Sequence, residues 1–339
     1  MSNVLKSQIT EVLNARNIQK SSLKTYLSTL SNLGKRSDIK IKKLIHFTSK
    51  SDEIMKFLMK LTFNKRKSIL TALCHVSEEA VYEQQKQLDY AEHNAATRKQ
   101  TLTAKEAANW MSWTDIMKVY KKMELRVNFL FKTVATKETI LIYKNHPNLQ
   151  EGAQMFDDDD RQLIQDFHVL MMYIEFPPRR AEDVSSFMVR DYNTKTDNHV
   201  DFKHNKIVFN NFKTQKSFGR QVFELPTDMK KHLLRYMKVF NVKNNYVSTL
   251  GLSINLTNTN ITHALNRVFK PKKISVNMLR HAYITDFHRK LAQNGDASNL
   301  ELMSNLAEKM AHSVETQLTY VRHDAPLPDT NTDENTADV

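Results

Sequence analysis

Glycine and cysteine are scarce in this chain, with five of the former and one of the latter in 339 residues. Gly34, Gly152, Gly219, Gly251 and Gly295 stand far apart, which excludes the glycine-rich loops that cradle phosphate in dinucleotide and P-loop enzymes. Any phosphate handling falls to side chains. Cys74 alone can build neither an intramolecular disulfide framework nor a multi-thiolate zinc site; it fits a reducing compartment and is expected in the core. No apolar run reaches the ~20 residues of a membrane span, and the opening MSNVLKSQIT lacks a signal-peptide stretch. A soluble, intracellular protein without a membrane partner is expected. Low glycine and proline, apolar spacing of i, i+3, i+4 and the absence of a solenoid repeat predict a mostly helical chain.

What is present in excess is positive charge. Fifty Lys and Arg against 37 Asp and Glu leave +13, which suits a polyanionic partner, nucleic acid before an anionic membrane. The excess is uneven. Residues 1–75 hold fifteen Lys/Arg and four acids, so they alone carry +11, whereas the last sixteen residues, DAPLPDTNTDENTADV, carry −5. That tail has too little apolar content to fold by itself, although Leu327 between prolines offers one docking group. At this length two domains are the starting expectation.

In the front module, SSLKTYLSTLSNLG places Leu23, Tyr26, Leu27, Leu30 and Leu33 on one helical face, with Gly34 as its stop. Ile54, Phe57, Leu58 and Leu61 trace a second face, and Ile69, Leu70, Leu73 and Val76 a third. Lys24, Lys35, Lys56, Lys65 and Lys67 fall on the solvent side as candidate DNA contacts. Surface lysines usually only solvate, but an ordinary solvated helix mixes in glutamate and this module scarcely does. The polar stretch 79–102 is expected to connect the domains, partly as helix. Thr103 and Glu106 form a capping-box pattern that opens the second domain. The run Asp157 to Asp160 resembles a metal site, yet it precedes a helical stripe that must end before Pro177-Pro178, so capping of that helix is the favoured reading. One hairpin is predicted, KIVFNNFK and RQVFELP around TQKSFG, with Lys213 at the turn end of its first strand. Helices resume from Thr227, Thr259 and Ser275, and near Leu300 and Ser313.

Five residues of the second domain acquire meaning from their order. Singly, Arg180 is a surface arginine, Lys213 a turn lysine, Arg280 a helix-surface cation, His312 a helix cap and Tyr320 a packing aromatic. Together, PPRRAEDVSSFMVRDY with Arg180, Asp183, Val184, Phe187 and Asp191, the hairpin with Lys213, VNMLRHAYITDF with Arg280, and LAEKMAHSVETQLTYV with His312 and Tyr320 resemble the four boxes of the tyrosine recombinases, the phage-integrase superfamily. Residues 16–78 resemble, more weakly, that family's helical core-binding domain. PPRR and ANWMSW at 108–113 resemble recombinases of viruses and mobile elements in microbial eukaryotes.

The chemistry explains the residue types. A phenol with a pKa of ~10 needs cations and hydrogen bonds before it attacks phosphorus at neutral pH. Two guanidiniums, Arg180 and Arg280, can hold the non-bridging oxygens in fork geometry, which lysine would not reproduce. The resemblance implies that Lys213 protonates the departing 5′-oxygen and that His312 bonds the phosphate or assists proton movement. Asp183 would brace the arginine site, and no metal or other cofactor is required. Two departures stand out. Asn277 occupies a place where the family usually has histidine, with neighbouring His281 an uncertain replacement because adjacent helix residues point ~100° apart. Tyr320 also follows His312 by eight residues, one fewer than expected. Arg179 competes with Arg180 for the first arginine; the downstream apolar register favours Arg180 and leaves Arg179 to backbone phosphate or solvent.

The resemblance therefore implies a mainly α fold with a small β-hairpin or sheet, arranged as the two-domain clamp of tyrosine recombinases. A helical core-binding domain (1–100), an α+β catalytic domain (103–323) and an acidic, disordered tail (324–339) are expected. The expected activity is site-specific cutting and rejoining of double-stranded DNA through a 3′-phosphotyrosyl intermediate, by a homotetramer on paired sites, in the nucleus or at viral or mobile-element DNA. Two alternatives are a type IB topoisomerase, which relaxes supercoils without a partner site, and a catalytically silent DNA-binding protein.

Overall fold

The computed structural model describes residues 3–18, 20–134, 156–239, 249–250, 254–255 and 257–327. It divides into two compact units, Met1–Lys99 and Gln100–Val339. Helices dominate both, and a small three-stranded antiparallel sheet lies in the second.

The first unit comprises α1 (Asn3–Ala15), α2 (Lys20–Arg36), α3 (His46–Ser49), α4 (Ser51–Leu58), α5 (Phe63–Val76) and α6 (Ala80–Arg98). Leu5, Ile9 and Leu13, one turn apart on α1, are buried with Leu30, Leu33, Phe47, Ile54, Leu58, Leu70 and Leu73. Two expectations change here. Gly34 does not stop α2, which runs to Arg36; the reversal comes at Asp38, whose φ of 55° is left-handed, while Ser37 Oγ donates to Leu33 O at 2.7 Å. The stretch 79–102 is not a bare connector either. Most of it is α6, held to the unit by Tyr82, whose hydroxyl donates to Phe47 O at 2.5 Å, and by Asp89, which takes a two-pronged bond from Arg66 at 2.7 and 2.8 Å. A stretch sparse in large aliphatics concealed two side chains that do the anchoring. Cys74 is half-buried rather than core, and burial pushes its thiol up to about 11.

The second unit begins with α7 (Ala104–Asn109), where the capping box of Thr103 and Glu106 is present, and α8 (Trp113–Val134), which buries Trp113, Ile116 and Tyr120. Helix α9 (Asp158–Ile174) is capped by Asp157, whose carboxylate accepts from Asp160 N at 2.8 Å. The acidic run thus serves the exposed N–H groups of a helix start. Next come α10 (Ala181–Ser185), β1 (His199–Asp201), β2 (Lys206–Phe209), α11 (Gln215–Phe218) and β3 (Gln221–Glu224). The sheet order is β1-β2-β3, so the predicted hairpin gains a third, very short strand. Helix α12 (Thr227–Val239) and the two-residue strands β4 (Thr249–Leu250) and β5 (Ile254–Asn255) follow. The unit closes with α13 (Asn258–Val268, capped by Thr257), α14 (Val276–Gln293, capped by Ser275), α15 (Leu300–Lys309) and α16 (Val314–Leu318, capped by Ser313). Its core runs from Trp110 through Phe167, Leu170 and Phe209 to Leu279.

The first residues of the expected tail are described. Asp324 is held by the backbone N–H of Leu102, and Leu327 is described and exposed, whereas the acids Asp329, Asp333, Glu334 and Asp338 lie outside the described residues.

Candidate functional site

Helix α14 brings Arg280 into the interior at 2% exposure. Its guanidinium carbon stands 4.9 Å from the centre of the Tyr320 ring, and its Nη1 donates to Pro178 O at 2.7 Å. Among the described residues, Nε and Nη2 have no hydrogen-bond partner. Burial pulls the group below its ordinary value, with Tyr320 acting against that.

His312 reaches the same place from the end of α15. Ala311 takes the left-handed conformation at φ 55°, so that His312 N bonds back to Ala307 O at 3.1 Å and Ala311 N to Glu308 O at 3.0 Å. This is the helix-ending arrangement that glycine usually serves. The turn delivers the His312 ring, 2% exposed, edge-on to the Tyr320 ring at 5.6 Å between centres. Neither of its ring nitrogens has a partner among the described residues. Burial, reinforced by Arg280, Arg180 and Arg179, pushes it down to about 3, so the imidazole is neutral at physiological pH.

Tyr320 lies two residues beyond α16. Thr319, Tyr320 and Val321 bond to the carbonyls three residues before them, at 3.1, 2.9 and 3.1 Å. This tightened final turn absorbs the missing residue between His312 and Tyr320. The half-buried ring leans on a small cluster of Ile284, Leu306, Met310 and Val321.

The paired arginines part company. Arg180 occupies the N-cap position of α10 without a side-chain cap bond, is half-buried and, among the described residues, makes a long bond from Nη1 to Ala311 O at 3.4 Å. Arg179 is 1% exposed and meets neither solvent nor an open groove. Its Nε donates to Asp183 at 3.0 Å, its Nη1 to Gln221 at 2.8 Å and to Lys309 O at 3.1 Å, and Phe209 lies 3.7 Å below its guanidinium carbon. Burial pushes it down to about 10, against the pull of Asp183, so it stays charged at neutral pH. Asp183, fully buried, therefore braces Arg179, and through it the end of α15, rather than Arg180.

Lys213 is exposed and lies beyond the end of β2. The strand stops early because the Asn198 side chain takes its next polar groups: Oδ1 accepts from Asn210 N at 2.9 Å and Asn211 N at 2.8 Å, and Nδ2 donates to Asn211 O at 2.7 Å. The flanking residues are nonetheless fixed at the site, Phe212 under Arg179 and Thr214 donating to Ala311 O at 2.8 Å. Asn277 is exposed on the first turn of α14. The His281 ring lies 4.8 Å from the Tyr320 ring, centre to centre, with both of its nitrogens already engaged. Its Nδ1–H donates to Tyr320 O at 2.7 Å and its Nε2 accepts from Arg322 Nη2 at 3.2 Å, with burial first among the causes that push it down to about 4. In the first unit Lys24, Lys35, Lys56 and Lys65 are exposed, but Lys67 is half-buried over Tyr90 at 4.6 Å and Phe63 at 5.7 Å, which turns it toward its own unit.

The structure thus brings Arg180, Arg280, His312 and Tyr320 together, keeps Lys213 on an adjoining loop, and adds residues that spacing did not single out. Gln317 is fully buried with both amide atoms unpartnered among the described residues, and Arg322 and Glu106 hold the chain around Tyr320. A buried donor without an acceptor costs about 1–3 kcal/mol. The two free donors of Arg280 beside the Tyr320 ring are groups that an anion would satisfy.

Comparison with protein-family models finds no match, and comparison with curated proteins finds none. Among solved structures, the chain is similar to one described as the crystal structure of XerA recombinase, at 12% identity over 96% of this chain and 94% of that chain, with a TM-score of 0.37. A likeness of that size says nothing of function, which is read from the side-chain geometry.

Proposed function

We propose that the protein cuts and rejoins DNA strands through a tyrosyl-phosphate linkage, as a site-specific recombinase or integrase. The observation that carries this is the convergence of Arg280 and His312 on the Tyr320 ring, with Arg180 held beside His312 at Ala311 O and, among the described residues, the Nε and Nη2 of Arg280 and both His312 nitrogens unpartnered. A phosphodiester between them would accept from the two Arg280 donors and from the single N–H of neutral His312, leaving the other imidazole nitrogen to accept from the phenol, and would be held in two guanidinium forks. The Tyr320 oxygen forms a bond to phosphorus as the 5′-oxygen leaves. Lys213 gives its proton to that oxygen, and neutral His312 takes the phenol's proton, its basicity raised by the anion beside it. The 3′-phosphotyrosyl bond conserves the energy for rejoining, to a second duplex when subunits pair as a homotetramer. The exposed lysines of the first unit would bind backbone phosphate, making it the core-binding domain and the second unit the catalytic one. The viral or mobile-element setting and a nuclear location belong to the same proposal.

Tyr320→Phe tests it. On nicked suicide duplexes carrying candidate element ends, the wild type should trap covalent DNA, and the variant should bind equally well and trap none. A variant that still traps DNA would remove Tyr320 from this role. Asn277, exposed where the resemblance leads one to expect histidine, favours a second reading, a DNA-binding protein without cleavage. In that case wild type binds with a steep salt dependence, log K falling by ~0.9 per phosphate contact, and forms no adduct. Relaxation of a plasmid lacking any recombination site would instead indicate topoisomerase action.

A further inference from the structure

We infer that the stretch Gln100–Glu106 is a strap that positions the Tyr320 segment, with Glu106 and Arg322 as its positioning residues. The catalytic consequence rests on the function proposed above; the positioning itself does not. Helix α16 ends at Leu318 and its tightened turn at Val321, so the carbonyl of Tyr320 and the backbone from Arg322 onward find their partners elsewhere. It finds them in groups distant in sequence. The Gln100 side-chain amide donates to Leu318 O, 218 positions away. His323 N donates to Gln100 O at 3.0 Å, and Leu102 N donates to both oxygens of Asp324, at 2.8 and 3.1 Å. Between these ties, Arg322 Nη2 donates to Glu106 Oε1 at 3.1 Å and to His281 Nε2 at 3.2 Å, and His281 in turn holds Tyr320 O at 2.7 Å. Arg322 N is fixed by Thr285 Oγ1 at 3.1 Å. Leu318, Tyr320, Arg322, His323 and Asp324 are therefore each bound from outside the segment, and the nucleophile's carbonyl sits at the end of a Glu106–Arg322–His281 chain.

Glu106 has two tasks that one substitution separates. It completes the capping box, with Thr103 N donating to its Oε2 at 2.9 Å, and it meets Arg322 with its other oxygen. Glu106→Gln keeps a good capping residue while removing the charge that faces Arg322. The experiment measures amide hydrogen exchange in peptides covering 316–324 for wild type, Glu106→Gln and Asp324→Ala, with α9 peptides as the control for folding. Single-turnover adduct formation on the same nicked duplexes runs alongside. Exchange at 316–324 should rise at least roughly tenfold in both variants with α9 unchanged, and adduct formation should slow by about ten- to a hundredfold at unchanged DNA affinity, the scale of a misplacement near 1 Å. Unchanged exchange at 316–324 in both variants would overturn the strap. Raised exchange with no adduct from wild type would uphold the strap and remove the proposed chemistry. Should Glu106→Gln lose α9 protection, Asp324→Ala decides alone, since Asp324 is exposed and its substitution spares the core.

Discussion

Replacing Arg280 by methionine distinguishes an arginine that holds the fold from one that waits for a ligand. A structural buried charge typically costs 3–5 kcal/mol to break, roughly, when its partner is left behind. Here the balance differs. The substitution relieves two orphaned donors, Nε and Nη2, worth about 1–3 kcal/mol each and so roughly 2–6 kcal/mol together. It forfeits the charged bond to Pro178 O, about 1.5–3 kcal/mol, and the contact with the Tyr320 face, about 0.5–2 kcal/mol. At mid-range the two sides, about 4 and about 3.5 kcal/mol, offset to within about 2 kcal/mol, so the melting temperature should move by less than about 8 °C for a unit of this size. Function should respond on another scale. One aimed donor contributes about 3–4 kcal/mol to a transition state, and two are removed, so adduct formation should fall by at least roughly a thousandfold. Urea unfolding at pH 7 and gel-resolved covalent DNA measure the two effects on one preparation. A stability loss above about 3 kcal/mol, or adduct formation within tenfold of wild type, would refute the reasoning.

Asp183→Ala should cost about 3–5 kcal/mol in urea unfolding, because Arg179 at 1% exposure is left without its carboxylate, and the pair Arg179→Met with Asp183→Leu should cost less than either single change. Acid should weaken the fold through His312. Its folded value of about 3 lies below the ordinary 6.5, so the unfolded chain binds the extra proton between those limits; the stability is complete above pH 6.5 and is lost as pH falls toward 3. Between pH 6.5 and 5 this amounts to about 2 kcal/mol, and unfolding of His312→Asn should lack that part of the slope. Ala311→Gly should raise stability by about 0.5–1 kcal/mol in thermal unfolding, since it relieves a left-handed alanine at the cost of a freer unfolded chain.

The order of the arginine, histidine and tyrosine boxes was visible in the sequence because each keeps a local pattern, an acid three residues after Arg180 or an alanine before His312. The sequence pattern also placed most helix starts, from the capping box at Thr103 to Ser275 and Ser313. It favoured Arg180 over Arg179 but left Arg179 to backbone phosphate or solvent, since neighbours on extended backbone point to opposite sides and only the packed sheet shows that Arg179 is the interior one. It was silent on Asn198, whose single amide ends a strand and so sets where the Lys213 loop begins. The second task of Glu106 was hidden behind the first: a capping box explains the residue completely until Arg322 arrives from the far end of the chain. His281 followed simple helix geometry, one residue from Arg280 and turned toward the backbone of Tyr320.

The long contact of Arg180 has a consequence for how readily the site can be recruited. At 3.4 Å from Ala311 O the guanidinium is on standby, and the carbonyl it touches already has an understudy in the Thr214 hydroxyl at 2.8 Å. An oxyanion that draws Arg180 away strands nothing behind it. The charge can swing to a guest at almost no expense, while its neighbour Arg179, wedged between rings, carries the weight of the wall.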